Sequence, residues 1–230
     1  WKTWNIDKNR PLFNRAINGL YPPGSTMKLA AAAMLLETEK VTPNWSVNCG
    51  GVYNFGNRLY HCWKEDGHGK VNLKDAIKYS CNIYFYQLIQ YYKVDEWAGF
   101  MNDFGFGQKT KIDLEYESKG IIPTREYLNE KYTSRGWAEG NLLGFVLGQG
   151  DVLSTPLQVL HMINLIATEG FAGKLKLVKS NPIEIDTLAY SEKTWTFLNN
   201  AIWHVVNGNK GTGENAKPKV GIAKGKTGTA

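Results

Sequence analysis

The stretch PPGSTMKLAAAAMLLE, residues 22–37, decides how the chain is read. Two prolines and a glycine end an irregular opening segment, and a run rich in Ala, Leu and Met follows. Apolar side chains fall on nearly every side of its helical wheel, so the pattern predicts a central, buried helix over residues 26–37. Ser25 and Lys28 stand three apart at its start. Positions i and i+3 share a helix face, which puts the Ser25 hydroxyl above the Lys28 amine. Met27, Leu29 and the alanines strip water from that amine, and desolvation lowers a lysine pKa. The helix N-terminus favours negative charge developing beside it. A serine that needs a base and a lysine able to act as one therefore explain each other. Ser-x-x-Lys alone is weak, because ordinary residue frequencies produce it about once in a chain this long. Ser25 as a plain N-cap is the competing reading.

Further helices follow outward from this one. Asn72 reads as an N-cap with Asp75 in the first turn. Leu73, Ala76 and Ile77, then Ile83, Tyr84 and Leu88, predict two helical stretches with Ser80-Cys81-Asn82 at their junction. Another is expected from 94 to 104, stopped by Gly105. Thr155, Pro156 and Gln158 form a cap, first helical residue and capping-box partner, with Gly170 as the stop. Ser191 caps a helix to about Val206. Residues 42–70 read as loop, 105–150 as a long irregular region, and NGNKGTGENAKPK (207–219) as a flexible polar loop. The closing VGIAKGKTGTA (220–230) reads as a strand whose partners are expected outside residues 1–230.

The 230 residues are 43% hydrophobic and 13% aromatic, enough for one sizeable core. Net charge is +6, but the Lys and Arg residues are scattered without a dense block, which argues against nucleic acid. No uninterrupted apolar stretch reaches 18 residues and no signal peptide is visible. A first residue other than Met leads us to expect preceding sequence.

Two short motifs give Ser25 and Lys28 a context. In Ser80-Cys81-Asn82 a turn can send the hydroxyl and amide into one cleft while the middle side chain faces away. Ser46-Val47-Asn48 has the same form but sits in a loop that fixes no geometry. Lys226-Thr227-Gly228 joins a cation, a hydroxyl suited to a carboxylate, and a glycine that admits a substrate backbone. In this order the three motifs are the set of penicillin-binding proteins and serine β-lactamases.

The chain resembles the transpeptidase domain of class B penicillin-binding proteins over nearly its whole length, most like penicillin-binding protein 2 of the elongation machinery. PLFNRAINGLYPPGSTMK (11–28), FGFGQKTKIDLEYESKGIIPTREY (104–127), LGQGDVLSTPLQ (147–158) and KTGTA (226–230) carry the resemblance. Cys81 departs from many relatives. The resemblance implies an α+β transpeptidase fold, an antiparallel sheet flanked by helices, over residues 1–230 as one domain truncated at both ends, with an incomplete sheet. It implies that Ser25 attacks the penultimate D-alanine of a peptidoglycan stem peptide and that Lys28 takes its proton. Ser80 would relay a proton, Asn82 would orient Lys28 and substrate, and Lys226 and Thr227 would hold the substrate carboxylate. The N–H groups of Ser25 and Thr229 would form an oxyanion hole. It also implies β-lactam sensitivity, no cofactor for catalysis, and a place on the periplasmic face of the bacterial inner membrane. A membrane anchor would lie outside this piece, and the partners would be a RodA-type glycosyltransferase and an MreC-type scaffold. A D,D-carboxypeptidase or β-lactamase-like hydrolase, or a non-enzymatic β-lactam sensor or scaffold, are the other readings. Histidines 161 and 204 read as packed or surface residues.

Cys49, Cys62, His68 and Cys81 follow the spacing C-x12-C-x5-H-x12-C. Three cysteines and a histidine are a tetrahedral zinc set, with His61 and Asp66 as possible substitutes. Some relatives in the penicillin-binding protein 2 group are thought to bind zinc near this position. A Cys49–Cys62 disulfide with Cys81 free, or three unpaired thiols, is the alternative.

Overall fold

A short helix α1 (Arg15–Asn18) leads to a 3-10 turn, Gly24–Met27, and then to α2 (Lys28–Thr38). The computed structural model describes residues 4, 6–134, 136–179 and 182–229. In α2 every residue from Lys28 to Leu35 is buried, as its all-round apolar pattern predicts. The alanines at 30–33 have no side chain beyond Cβ, which lets neighbouring helices approach closely. Those neighbours are α3 (Leu73–Lys78), α4 (Asn82–Leu88), α5 (Val94–Asp103) and α9 (Glu192–Asn207).

The expected caps are present. Asn72 accepts from the Asp75 N–H, and Ser191 accepts from Thr194. Thr155 and Gln158 bond reciprocally at the start of α8 (Pro156–Ala167), and Gly170 follows its end at φ +92°. Residues 105–150 are less irregular than expected, because α6 (Arg125–Lys131) and α7 (Asn141–Phe145) lie within them.

Residues 42–70 are not loop. They form two antiparallel ribbons: β1 (Val47–Cys49) with β4 (Gly69–Val71), and β2 (Val52–Phe55) with β3 (Arg58–His61). A third ribbon pairs β5 (Phe171–Gly173) with β6 (Ile185–Thr187). Strands of three or four residues are too short to display an alternating pattern, so the sequence hid them. The fold is α+β, small antiparallel sheets flanked by helices.

Two further expectations are corrected. Residues 220–229 form no strand; Ala230, the last residue of that expectation, lies outside the described residues. The segment runs along α9 instead, through Gly225 N–H to the Ile202 carbonyl (3.2 Å) and Asn207 Nδ2 to the Ala223 carbonyl (2.8 Å). A strand needs a ladder partner, and its described neighbour is a helix. The loop after α9 is pinned: the Gly213 N–H bonds the Val205 carbonyl at 2.9 Å, and Gly211 and Gly213 are buried.

Candidate active site

Three chain segments meet at Gly24. Its N–H bonds the Gly148 carbonyl at 3.0 Å, and its φ is +59°. A Cβ there would lie 2.5 Å from the Thr229 carbonyl oxygen, and one on Gly148 would strike the Gly24 backbone. Only glycine allows this approach, and it fixes Ser25 beside the segment carrying Lys226 and Thr227. The Ser25 N–H falls in the first turn of the 3-10 helix, ahead of any intrahelical acceptor.

Lys28 is fully buried, and its amine points across the core to the second motif. Nζ donates to Asn82 Oδ1 at 2.6 Å, to the Ser80 carbonyl at 2.9 Å and to Ser80 Oγ at 3.2 Å. Burial pushes its pKa down to about 7, against a smaller upward pull from Cys81 and Cys62. Among the described residues the acceptors of Lys28 Nζ come from Ser80 and Asn82. A neutral lysine has two N–H bonds and one lone pair. Ser80, whose hydroxyl can donate or accept, is the partner that can turn its proton toward that lone pair.

Ser80 closes α3 at φ +53°, a backbone conformation uncommon outside glycine. The bend sends Ser80 and Asn82 toward Lys28 while Cys81, between them, faces the opposite way. Asn82 is held from behind by Nδ2 donating to the His61 carbonyl at 3.2 Å. Lys226 Nζ reaches Ser80 Oγ from the other side at 2.9 Å and also donates to the Thr227 carbonyl at 2.9 Å. Burial, then the Lys28 amine, depress the Lys226 pKa well below the usual lysine range. The Ser80 hydroxyl thus stands between two amines.

These groups open into a cleft of about 600 Å³ lined by Ser25, Ser80, Asn82, Thr227, Gly228 and Thr229, together with Trp63, Leu147, Gln149 and Thr212. The last four were not singled out as site residues from the sequence. Leu147 and Gln149 belong to the quoted stretch LGQGDVLSTPLQ, and Trp63 and Thr212 carry no local signal. Trp63 is 58% exposed and is held by Nε1 donating to the Tyr79 carbonyl at 2.9 Å. His161 and His204 do not line this cleft; burial lowers the pKa of each. A second, smaller cavity between Tyr92, Leu128, Trp137 and Phe145 contains none of the motif residues.

Behind the second motif, the ligand atoms of Cys49, Cys62, His68 and Cys81 lie within 4.8 Å of one another. No disulfide joins the three cysteines. His68 Nδ1 is 3.5 Å from both Cys49 Sγ and Cys62 Sγ. Tetrahedral bonds of about 2.3 Å to sulfur and 2.05 Å to nitrogen set that edge at about 3.6 Å, so the donor set fits zinc. His61 and Asp66 are not among the four. A hydrogen bond from Cys81 holds the Cys62 thiol well below its usual pKa and pushes Cys81 up. The His68 ring stacks on Tyr79 at 5.8 Å, while its buried Nε2 has no hydrogen-bond partner among the described residues.

A buried lysine aimed at a Ser-x-Asn turn, beside a half-buried Ser25 turn and a Lys-Thr-Gly segment, is the constellation of a serine acyl-transferase. The chain belongs to the penicillin-binding protein transpeptidase domain family, whose model matches residues 2–230. It is 34% identical to the peptidoglycan D,D-transpeptidase MrdA of Haemophilus influenzae over 97% of its length, and spans 36% of that protein. The structure superposes on the penicillin-binding protein PBP2 solved in complex with MreC from Helicobacter pylori with a TM-score of 0.93, at 32% identity, covering 100% of this chain and 44% of that one. Pseudomonas aeruginosa PBP2 in complex with WCK 5153 gives 0.88 at 34% identity, covering 98% and 54%. The chain thus spans about a third to a half of these three relatives.

Proposed function

We propose that residues 1–230 are a transpeptidase domain, truncated at both ends, of a peptidoglycan D,D-transpeptidase that works through a serine acyl-enzyme. The observation that carries this reading is the placing of the Ser80 hydroxyl, 3.2 Å from the Lys28 amine and 2.9 Å from the Lys226 amine. Ser25 Oγ attacks the carbonyl of the penultimate D-alanine as Lys28 Nζ takes its proton. The proton passes through Ser80 to the nitrogen of the terminal D-alanine, which leaves as the peptide bond breaks. The N–H groups of Ser25 and Thr229 receive the developing oxyanion, a contribution of a few kcal/mol per donor. Lys226 and Thr227 hold the substrate carboxylate. An acceptor amine then attacks the ester carbonyl and restores Ser25, leaving a cross-link. No cofactor enters these steps. β-Lactams present a strained amide to the same serine and remain attached.

In this reading Cys49, Cys62, His68 and Cys81 would hold one zinc ion. The ion would supply rigidity, steadying Ser80 and Asn82, the neighbours of Cys81. The domain works at the periplasmic face of the inner membrane, with an anchor outside these residues. Among the described residues no helix is long and apolar enough to cross a membrane. An MreC-type scaffold is a partner by similarity to the Helicobacter pylori complex. A RodA-type glycosyltransferase is a partner by the sequence resemblance and by similarity to a solved peptidoglycan synthase complex that coordinates polymerization and crosslinking.

The test is product analysis with a pentapeptide donor, with and without an acceptor amine. Cross-linked peptide that increases with acceptor is expected. Hydrolysed donor alone, unaffected by acceptor, would make the protein a carboxypeptidase-like hydrolase. No turnover with retained penicillin binding would make it a sensor.

A further inference from the structure

Thr212 lies in the loop after α9, between two buried glycines. A Cβ on Gly211 would strike the Val205 carbonyl, so the loop presses directly on the end of α9. This fixes Thr212 against two motif-bearing segments at once. Its N–H and its hydroxyl both reach the Lys78 carbonyl at 3.2 Å, at the end of α3 and two residues before Ser80. Its hydroxyl also lies 2.8 Å from the Thr227 hydroxyl. Both threonines line the cleft.

The proton count decides what this arrangement does. Each hydroxyl has one proton, and the Lys78 carbonyl can only accept. If Thr212 donates to that carbonyl, Thr227 must donate to Thr212 and shows the cleft only lone pairs, which repel an anion. If Thr212 donates to Thr227, the Thr227 proton is released toward the cleft. The Lys78 carbonyl then keeps the Thr212 N–H, so no buried acceptor is abandoned. The two states differ only in the rotation of two hydroxyls. A carboxylate in the cleft selects the second state. A hydroxyl that already accepts a hydrogen bond is also the stronger donor.

We propose that Thr212 is a positioning residue for carboxylate recognition, its hydroxyl fixing that of Thr227 as the donor to the substrate carboxylate. The inference rests on the reading that Lys226 and Thr227 receive that carboxylate. The experiment measures second-order acylation rates by intact mass for wild type, Thr212→Val and Thr212→Ser, with benzylpenicillin and with its methyl ester. Thr212→Val is expected to slow reaction with the free acid on the order of tenfold and to change reaction with the ester less than about twofold. Thr212→Ser, which keeps the hydroxyl, is expected to stay within about twofold of wild type with both. Equal losses with acid and ester, or no loss with the acid, would overturn the proposal. If the wild type itself takes up no penicillin, the acyl-enzyme reading fails, and this inference falls with it.

Discussion

Replacing Lys28 with methionine is expected to slow acylation by a penicillin by about 10³-fold, within the range for loss of a positioned general base. Methionine keeps the length and suits the apolar surroundings of α2, so the loss reports on the amine rather than on packing. The wild-type rate should climb with pH through about 7 and level off above it, because only the free amine can accept the Ser25 proton. Stability follows the same group. Between pH about 7 and 10.5 the unfolded chain keeps a proton on Lys28 that the folded chain lacks. The unfolded state binds more protons there, so this group's contribution rises with pH across that window and is lowest below it. Lys28→Met removes that slope, and the variant should gain thermal stability relative to wild type more at pH 6 than at pH 9. Stopped-flow acylation and thermal melts across pH check both parts. An acylation rate flat from pH 5 to 9 would contradict the assignment of Lys28 as base.

Zinc removal carries the second large effect. Structural zinc binding contributes on the order of 10 kcal/mol to small domains, and here the four proposed ligands come from β1, the segments after β3 and before β4, and the α3–α4 junction. Chelation is expected to lower Tm by about 10 °C or more, and His68→Ala to do the same without chelator. Acylation should slow as well, because Cys81 sits between Ser80 and Asn82, and Cys62 between His61, whose carbonyl holds Asn82, and the cleft residue Trp63. Elemental analysis should find one zinc per chain. A folded, fully active protein without metal would refute the zinc reading.

Much of this arrangement was legible because it rests on local chemistry. Thr155 with Gln158, Asn72 and Ser191 announce helix starts through side-chain oxygens that satisfy orphan N–H groups. The unbroken apolar run after Lys28 announces a central helix, and Ser80-Cys81-Asn82 announces a turn between two helices. What stayed hidden depends on distant pairing. The four strands between Val47 and Val71 are stabilised by partners up to 24 positions away, and none is long enough to show a period. The expected strand at 220–230 had the right residues but no ladder partner among the described ones. Thr212 is the single threonine of the glycine-rich 207–219 loop, and its role comes from Lys78 and Thr227, 134 and 15 positions away. The hydrogen bonds from the Lys28 amine to Ser80 and Asn82 likewise span 52 and 54 positions.

The most direct measurement is to expose wild type and Ser25→Ala to benzylpenicillin, weigh the intact proteins and map the modified peptide. One adduct per wild-type chain is expected, on the peptide containing Ser25, and none on the variant. An adduct on any other side chain, or undiminished labelling of Ser25→Ala, would contradict it.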